Sequence, residues 1–433
     1  MEKIYKKIFF PSDTILSDSV NFVEKNSVAL GCDKKTALKL RLSCEEIISA
    51  LYKDNKNLNP AEISIENKAD RTVLSIKISP LSLDLKAFNL AYKPDLESQK
   101  INNLGLAIAS RYVDDFSMEE LQFEKILINF SVNKKYEAKI KDIESPGEIN
   151  FYRLVKPSRE LIMEFGSLLN KVYKTFDFYP DFFHPQRLND LLSFGELSAV
   201  ISVNENNKVT GGAFAIPTRP QMLEFFGPFV FSLNKKNETA KDLACHLLEK
   251  VARKNYKGVF CTFYDNSYFP EKYFIPTGKI QNKNLQKTAW YFPLSDDEGG
   301  KTFIHPSIKD YVLNSIEKQD LPRDIHIIET DSVPEIKSSV LASKISRQTK
   351  TSAVKILLSG SDFEENIDIH MDYFKDLGIE NFTVDLDLCD KFQALASPVL
   401  IKKGFKPSIF LPCGAKGDLL VMSKTISFTG DEN

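Results

Sequence analysis

No C-x-x-C pair occurs in this 433-residue chain; its six cysteines, Cys32, Cys44, Cys245, Cys261, Cys389 and Cys413, are scattered. That spacing speaks against a zinc site or a disulfide framework and suits buried thiols in a reducing compartment. Charge of one sign is also lacking. Lys plus Arg number 57 and Asp plus Glu 59, for a formal net charge of -2. The basic excess of nucleic-acid binders is therefore missing. No apolar run approaches the ~20 residues that a membrane span requires. The opening "MEKIYKKIFFPSD" carries lysines without the apolar stretch of a signal peptide. These absences lead to the expectation of a cytoplasmic protein with no metal, nucleic-acid or membrane partner. What is present, 42% hydrophobic and 27% charged residues, is ordinary for a globular protein. The length predicts two or three domains rather than one core.

Along the chain, helix and strand signals alternate. "SDSVNFVEKNSVALG" predicts a helix opening near Ser17 and closing at Gly31, and "LRLSCEEIISALYKDN" a second with a stripe of Leu40, Ile47, Ile48 and Leu51. "AEISIENK" and "TVLSIKIS" read as a hairpin, followed by helical "GLAIASRYVDDF" and strand "EKILINFSV". This is an antiparallel sheet with helices on one face, over residues 1–136. The charged, "SPG"-broken segment 137–150 reads as a linker. A second unit, 151–296, opens with strand "FYRLV" and helix "SRELIMEFGSLLNKVY". It continues through a hairpin around "NENNK", strand "MLEFFGPFVF", helix "AKDLACHLLEKVARKN" and strand "GVFCTFY". A third, 297–433, follows "SDDEGGK" in similar order and suggests duplication.

Three segments of the first unit carry a resemblance. "LRLSCEEIISALYKDN", "SIKISPLSLDL" and "NNLGLAIASRYVDDF" resemble the N-box, G1 and G2 segments of the GHKL ATPase superfamily, nearest to bacterial anti-sigma-factor serine kinases. In that family an N-box asparagine supplies an oxygen to Mg²⁺, as a hard cation requires. Here the position is Ala50, and the family's following histidine is Asp54. The adenine-reading aspartate falls at Ile78, the G1 glycine at Pro80, and the first G2 glycine at Asn103; Asp84 and Gly105 match. Gly105 would stand at a helix entrance where backbone amides meet phosphate. Glu46 is a general base if the resemblance carries activity; otherwise Glu45 and Glu46 are a solvated helix face. The expectation is a retained fold without ATP binding.

From Phe151 onward the element order resembles the GNAT acyltransferase fold. "VYKTFDFYPDFFHPQRLNDLLSFGELSAVISV" is similar to a segment of bacterial proteins that fuse an anti-sigma-kinase-like domain to a GNAT region. The resemblance implies acetyl-CoA or another acyl-CoA as cofactor, with a small amine or a protein as substrate. Aligning "HLLEKV" with the family's R/Q-x-x-G-x-G/A loop puts Thr239, Asp242 and Ala244 on its marked positions. Lys241, Leu243 and Ala244 would then meet the cofactor, while Asp242 sets a carboxylate near a pyrophosphate. For catalysis, Glu224 is the candidate base, and Tyr264 or Tyr268 the donor to the departing thiolate. The plain alternatives are an exposed strand residue and core tyrosines. His184 and His246 carry weaker signals. "FQALASPVLIKKGFKPSIFLP" resembles the C-terminal GNAT signature, Gly404 suiting a left-handed helix cap, and "CGAKGD" offers a loop for an anion through Lys416.

The sequence thus predicts an α+β protein: a GHKL-like α/β sandwich followed by two tandem GNAT-like units. The function it implies is an acyl-CoA-dependent N-acyltransferase-like protein with a degenerate, regulatory N-terminal domain. The alternative is a catalytically inactive signalling or scaffold protein that binds a protein partner through that domain.

Overall fold

The computed structural model describes residues 3–52, 59–79, 83–92, 102–121, 125–136, 143–173, 184–262, 269–282, 285–329, 334, 336–347 and 349–426. It is α+β, as expected, and falls into two compact units. The first comprises Met1–Lys135, Ser332–Ile345 and Ser352–Ile379; the second Tyr136–Asp331, Ser346–Thr351 and Glu380–Asn433.

The first unit opens with β1 (Ile4–Phe9), α1 (Ile15–Ala29), α2 (Lys34–Tyr52), β2 (Ala61–Asn67), β3 (Arg71–Ile78), α3 (Asn102–Tyr112), β4 (Asp115–Leu121) and β5 (Lys125–Asn133). Its sheet runs β1-β2-β3-β5-β4, and every neighbouring pair is antiparallel. Strict alternation in β5 turns Ile126, Ile128, Phe130 and Val132 inward. They meet Leu40, Cys44, Ile47, Ile48 and Leu51 of α2 and Leu106 and Ala109 of α3. Each such buried aliphatic or aromatic side chain contributes roughly 1.5–3 kcal/mol. Gly31, at φ +84°, ends α1 where the sequence places its stop.

The second unit begins with β6 (Tyr152–Val155), α4 (Arg159–Val172), α5 (Pro185–Ser193), β7 (Ser198–Asn204), β8 (Val209–Arg219) and β9 (Met222–Val230). Then come α6 (Lys236–Val251), β10 (Gly258–Cys261), β11 (Ile275–Asn282), β12 (Leu285–Pro293), β13 (Gly300–Ile304), α7 (Lys309–Lys318) and β14 (Arg323–Ile327). The chain continues through β15 (Val340–Ser346), β16 (Thr351–Leu358), α8 (Phe363–Asp376), β17 (Asn381–Asp387), α9 (Lys391–Ala394), α10 (Ser397–Lys402), β18 (Lys406–Leu411) and β19 (Leu419–Thr425). Within the second unit the sheet order is β17-β19-β18-β11-β12-β10-β9-β8-β7-β6. β9 and β10 are parallel, whereas the other neighbouring strands of this sheet pair antiparallel. Every residue of β9 is buried, as a strand covered on both faces requires. Ser158 caps α4 by accepting from the Leu161 amide, and Gly404 takes its cap position at φ +85°.

The span 297–433 is divided between the units, because Ser332–Ile345 and Ser352–Ile379 belong to the first. Val340 and Leu358 join its apolar core, and a buried polar knot completes the attachment. Asn89 donates to the carbonyls of Lys86 and Ser339 and accepts from the Leu341 amide at 2.8 Å. Asn366 donates to Asn89 Oδ1 and to both oxygens of Ser339. Removing one partner of a buried bond leaves the other's desolvation uncompensated. Asn89→Ala is therefore expected to destabilise the protein by about 2 kcal/mol, read as a lower urea midpoint. An unchanged midpoint would show the knot to be dispensable.

Candidate functional site

β9 and β10 run side by side only briefly. Their register pairs Gly258 with Met222, Val259 with Leu223 and Phe260 with Glu224. β9 then continues to Val230, while β10 ends at Cys261. Glu224 stands at this fork, 1% exposed, and its Oε1 accepts from Thr262 Oγ1 at 3.2 Å. It is thus not the exposed strand residue of the plain sequence alternative. A carboxylate so placed is retained only with polar partners, because burying it alone is expensive. Tyr264 and Tyr268 lie outside the described residues.

Past the fork, β9 carries a bulge. Gly227 at φ +100° and Pro228, joined by a cis peptide, stand against a single residue of β8, between the pairs Phe214–Phe226 and Gly212–Phe229. The positive φ explains the glycine. Gly212 lets the bulged region approach α4, since a Cβ there would lie 2.6 Å from the Phe165 ring. The Phe231 amide bonds back toward β8 through Thr210 O. Strand alternation therefore turns the Val230 amide to the opposite edge, where it donates to Tyr173 Oη at 3.3 Å.

A five-residue turn, 231–235, connects β9 to α6. Lys235 adopts the left-handed φ of +53°, and the first helical bond runs from the Thr239 amide to Lys235 O. The amides of Lys236, Asn237 and Glu238 thus open the helix outside its ladder, with the positive end of the dipole. Lys241, Leu243 and Ala244 lie beyond that first turn. Lys241 is exposed, whereas Leu243 and Ala244 are buried against Val200, Ala213 and Phe225. Their amides belong to the helical ladder, whereas the turn into the helix lies several residues upstream, at 231–235. Asp242 is likewise committed, accepting from Tyr152 Oη at 2.8 Å. Burial, then the bond to Asp242 and its charge, pushes the Tyr152 phenol well above its usual range. His246 Nδ1 faces the Asp242 carbonyl one turn back, and His184 precedes α5 at its N-terminus.

The "CGAKGD" loop is filled from within: the amides of Lys416 and Gly417 donate to the Asp387 carboxylate. An anion drawn there by Lys416 would meet that carboxylate. In the first unit, Ala50 lies near the end of α2 and Ile78 is buried at the end of β3. Gly105 sits in the first turn of α3 with the Glu46 carboxyl against it; a Cβ at 105 would lie 1.8 Å from Oε2. Glu46 is half-buried, and burial and then Glu45 raise its pKa. Lys86, Asn89, Tyr92, Asp362, Glu365 and Asn366 border a cavity of about 110 Å³ in the same unit. Among the described residues no cluster of His, Cys, Asp and Glu is arranged to hold a metal ion, and no helix is long and apolar enough to cross a membrane.

No signal in the sequence marks Thr262 or Tyr173 as parts of this region. Each acts through a partner distant in the chain, which local spacing does not reveal.

No family model matches the chain, and no curated protein matches it. Solved structures of GNAT acetyltransferases are similar to about a third of it. A GNAT-family acetyltransferase from Staphylococcus aureus Mu50 is 14% identical, covering 34% of this chain and 100% of its own, with a TM-score of 0.27. An aminoglycoside 6'-N-acetyltransferase complexed with coenzyme A is 14% identical over 33% and 98%, with a TM-score of 0.27. A phosphinothricin acetyltransferase from Sinorhizobium meliloti, in complex with AcCoA, is 14% identical over 33% and 89%, with a TM-score of 0.28.

Proposed function

We propose that the β6–β12 region binds an acyl-CoA and transfers its acyl group to an amine. The observation that carries this reading is Glu224, a buried carboxylate at the fork of the parallel pair β9–β10, followed by a turn into the exposed amides of a 16-residue helix. An acyl thioester lying in the fork would place its carbonyl near Glu224. The cofactor's phosphates would face the start of α6, where helix amides and Lys235 and Lys236 favour negative charge. Glu224 takes the proton that the amine loses as its nitrogen attacks; the thioester C–S bond then breaks, and CoA leaves as a thiolate that takes a proton from solvent.

The first unit is proposed as a degenerate GHKL-like domain with a regulatory role. Ala50 offers no ligand for Mg²⁺, Ile78 no acceptor for adenine, and Glu46 brings a carboxyl to the place beside Gly105 that a phosphate would use. The same three features favour a second reading, a catalytically inactive protein that binds a protein partner. The chain order β16–α8–β17–hairpin repeats β9–α6–β10–hairpin, with α9 and α10 added before the second hairpin, which supports the proposal of a duplicated GNAT-like unit.

Calorimetric titration separates the readings. Acetyl-CoA is expected to bind with a dissociation constant near 10 μM, about -7 kcal/mol, and more weakly as salt rises. ATP–Mg²⁺ is expected to show no dissociation constant tighter than about 100 μM, roughly -5.5 kcal/mol. Absence of acetyl-CoA binding would leave the partner-binding reading standing, and tight ATP binding would overturn the degenerate assignment.

A further inference from the structure

The turn that would receive the cofactor's phosphates is already occupied by another part of the chain. Residues 143–150, "IESPGEIN", run along it as an irregular strap. The Leu233 amide donates to Gly147 O at 3.2 Å. Asn234 makes a two-way pairing with Ile149, accepting from its amide at 2.9 Å and donating to its carbonyl at 3.0 Å. The Lys235 ammonium donates to Asn150 O at 2.7 Å. Upstream, Lys171 Nζ donates to Ile143 O at 2.8 Å. Ile149 is the one buried side chain of the strap.

We infer that this strap is a built-in closure of the acyl-CoA site, held by the Asn234–Ile149 pair and displaced when the cofactor binds. The inference rests on the proposed function, whose site it regulates. A phosphate approaching the turn would compete with the strap for the Leu233 amide and for one of the three N–H donors of the exposed Lys235 ammonium. It would also meet the carbonyl oxygens of Gly147 and Asn150, which repel an anion. Strap and cofactor therefore compete for the same groups. The strap belongs to the connection between β5 and β6, so the segment that closes the site is the one that ties it to the rest of the chain.

The competition has a definite thermodynamic form. Cofactor affinity is reduced by the fraction of molecules with the strap open, and a variant that opens it removes that reduction. Asn234→Ala deletes both bonds of the pair without touching the fork or the start of α6. In the full-length protein it is expected to tighten acetyl-CoA binding by about tenfold. Ile149→Ala, which loosens the anchor from the strap's side, should act in the same direction.

Hydrogen exchange read by mass spectrometry on peptides spanning 143–150 supplies the second measurement. In the wild type the Ile149 amide should be protected. It should exchange faster in Asn234→Ala, and also in the wild type once acetyl-CoA is added. If acetyl-CoA binds the wild type while the strap stays protected and Asn234→Ala leaves affinity unchanged, the closure is overturned and the acyl-CoA reading survives. If neither variant nor wild type binds acetyl-CoA, the acyl-CoA reading falls and the closure falls with it. Melting curves of both variants guard against unfolding: a variant that loses affinity together with its cooperative transition counts against the strap as a separable device.

Discussion

Arg323→Ala should lower the stability of the second unit by about 3–5 kcal/mol, the range for removing one partner of a buried ion pair. Arg323 is 2% exposed at its side chain and spans two carboxylates, of which Asp418 is 3% exposed and Asp297 19%. Its Nε and Nη2 reach Asp418 at 2.6 and 3.0 Å, and its Nη1 and Nη2 reach Asp297 at 2.8 and 2.7 Å. Thr302 Oγ1 and the Cys413 amide complete the shell of Asp418. The planar guanidinium suits this double fork as no lysine could. Truncation would leave Asp418 charged and buried with only neutral donors. Replacing Arg323 and Asp418 together by apolar residues of similar size should recover much of the loss, since the carboxylate then left without Arg323, Asp297, is partly exposed and can be hydrated, whereas Asp418 cannot. Urea midpoints of the two variants test this; equal losses in the single and the double would refute it.

The same cluster sets an acid limit. Burial alone would raise the Asp297 pKa, but bonds from Arg323 and the Gly299 amide outweigh it and hold the carboxyl below its ordinary value. A carboxylate with a depressed folded-state pKa adds stability that is fully present above its unfolded pKa, near 4, and disappears as pH falls through the folded value. The wild-type urea midpoint should therefore fall below about pH 4 more steeply than that of the double replacement.

Much of the framework was legible because local chemistry and tertiary structure agree. The stripe Leu40–Ile47–Ile48–Leu51 is a buried helix face, and the alternation in "EKILINFSV" is a strand with one inner face. The "NENNK" turn does join β7 to β8, with Asn207 at φ +58°. The β11–β12 hairpin escaped because its sequence, "IPTGKIQN" and "LQKTAWYFP", mixes polar residues and breakers without clean alternation. Its register is instead fixed by its strand neighbours, including a bulge between Pro276 and Gly278. The return of 332–345 and 352–379 to the first unit was illegible for a related reason. It depends on Asn89, Ser339 and Asn366 meeting across some 250 residues of chain, and nothing in local periodicity encodes such a distance. In the candidate site, Glu224 could be nominated from its strand, and the alignment on "HLLEKV" put its marked positions on residues that the structure places inside α6. Helical Thr239–Ala244 has the small and polar residues such a loop favours, and the turn that joins β9 to α6, "FSLNK", has no glycine to advertise it.

Glu224→Gln is expected to slow acetyl transfer by about 10²- to 10⁴-fold, the range over which a positioned general base acts. The substitution keeps the shape and the acceptor oxygen that Thr262 uses but removes the group that takes up a proton. Acetyl-CoA affinity should stay within about twofold of wild type, because in the proposed arrangement the cofactor's charged end would lie at the start of α6, away from the fork. That split, a fall in kcat without a matching loss of binding, is what distinguishes a proton acceptor from a structural carboxylate. The assay would follow release of free CoA thiol from acetyl-CoA in the presence of a panel of primary amines and peptide N-termini. Melting curves provide the control. Should Glu224→Gln melt several degrees lower and lose acetyl-CoA affinity in parallel with its rate, then Glu224 serves only to hold β9 and β10 together. Should its rate equal that of the wild type with every amine that reacts, proton transfer at this carboxylate is excluded and the base lies elsewhere in the fork.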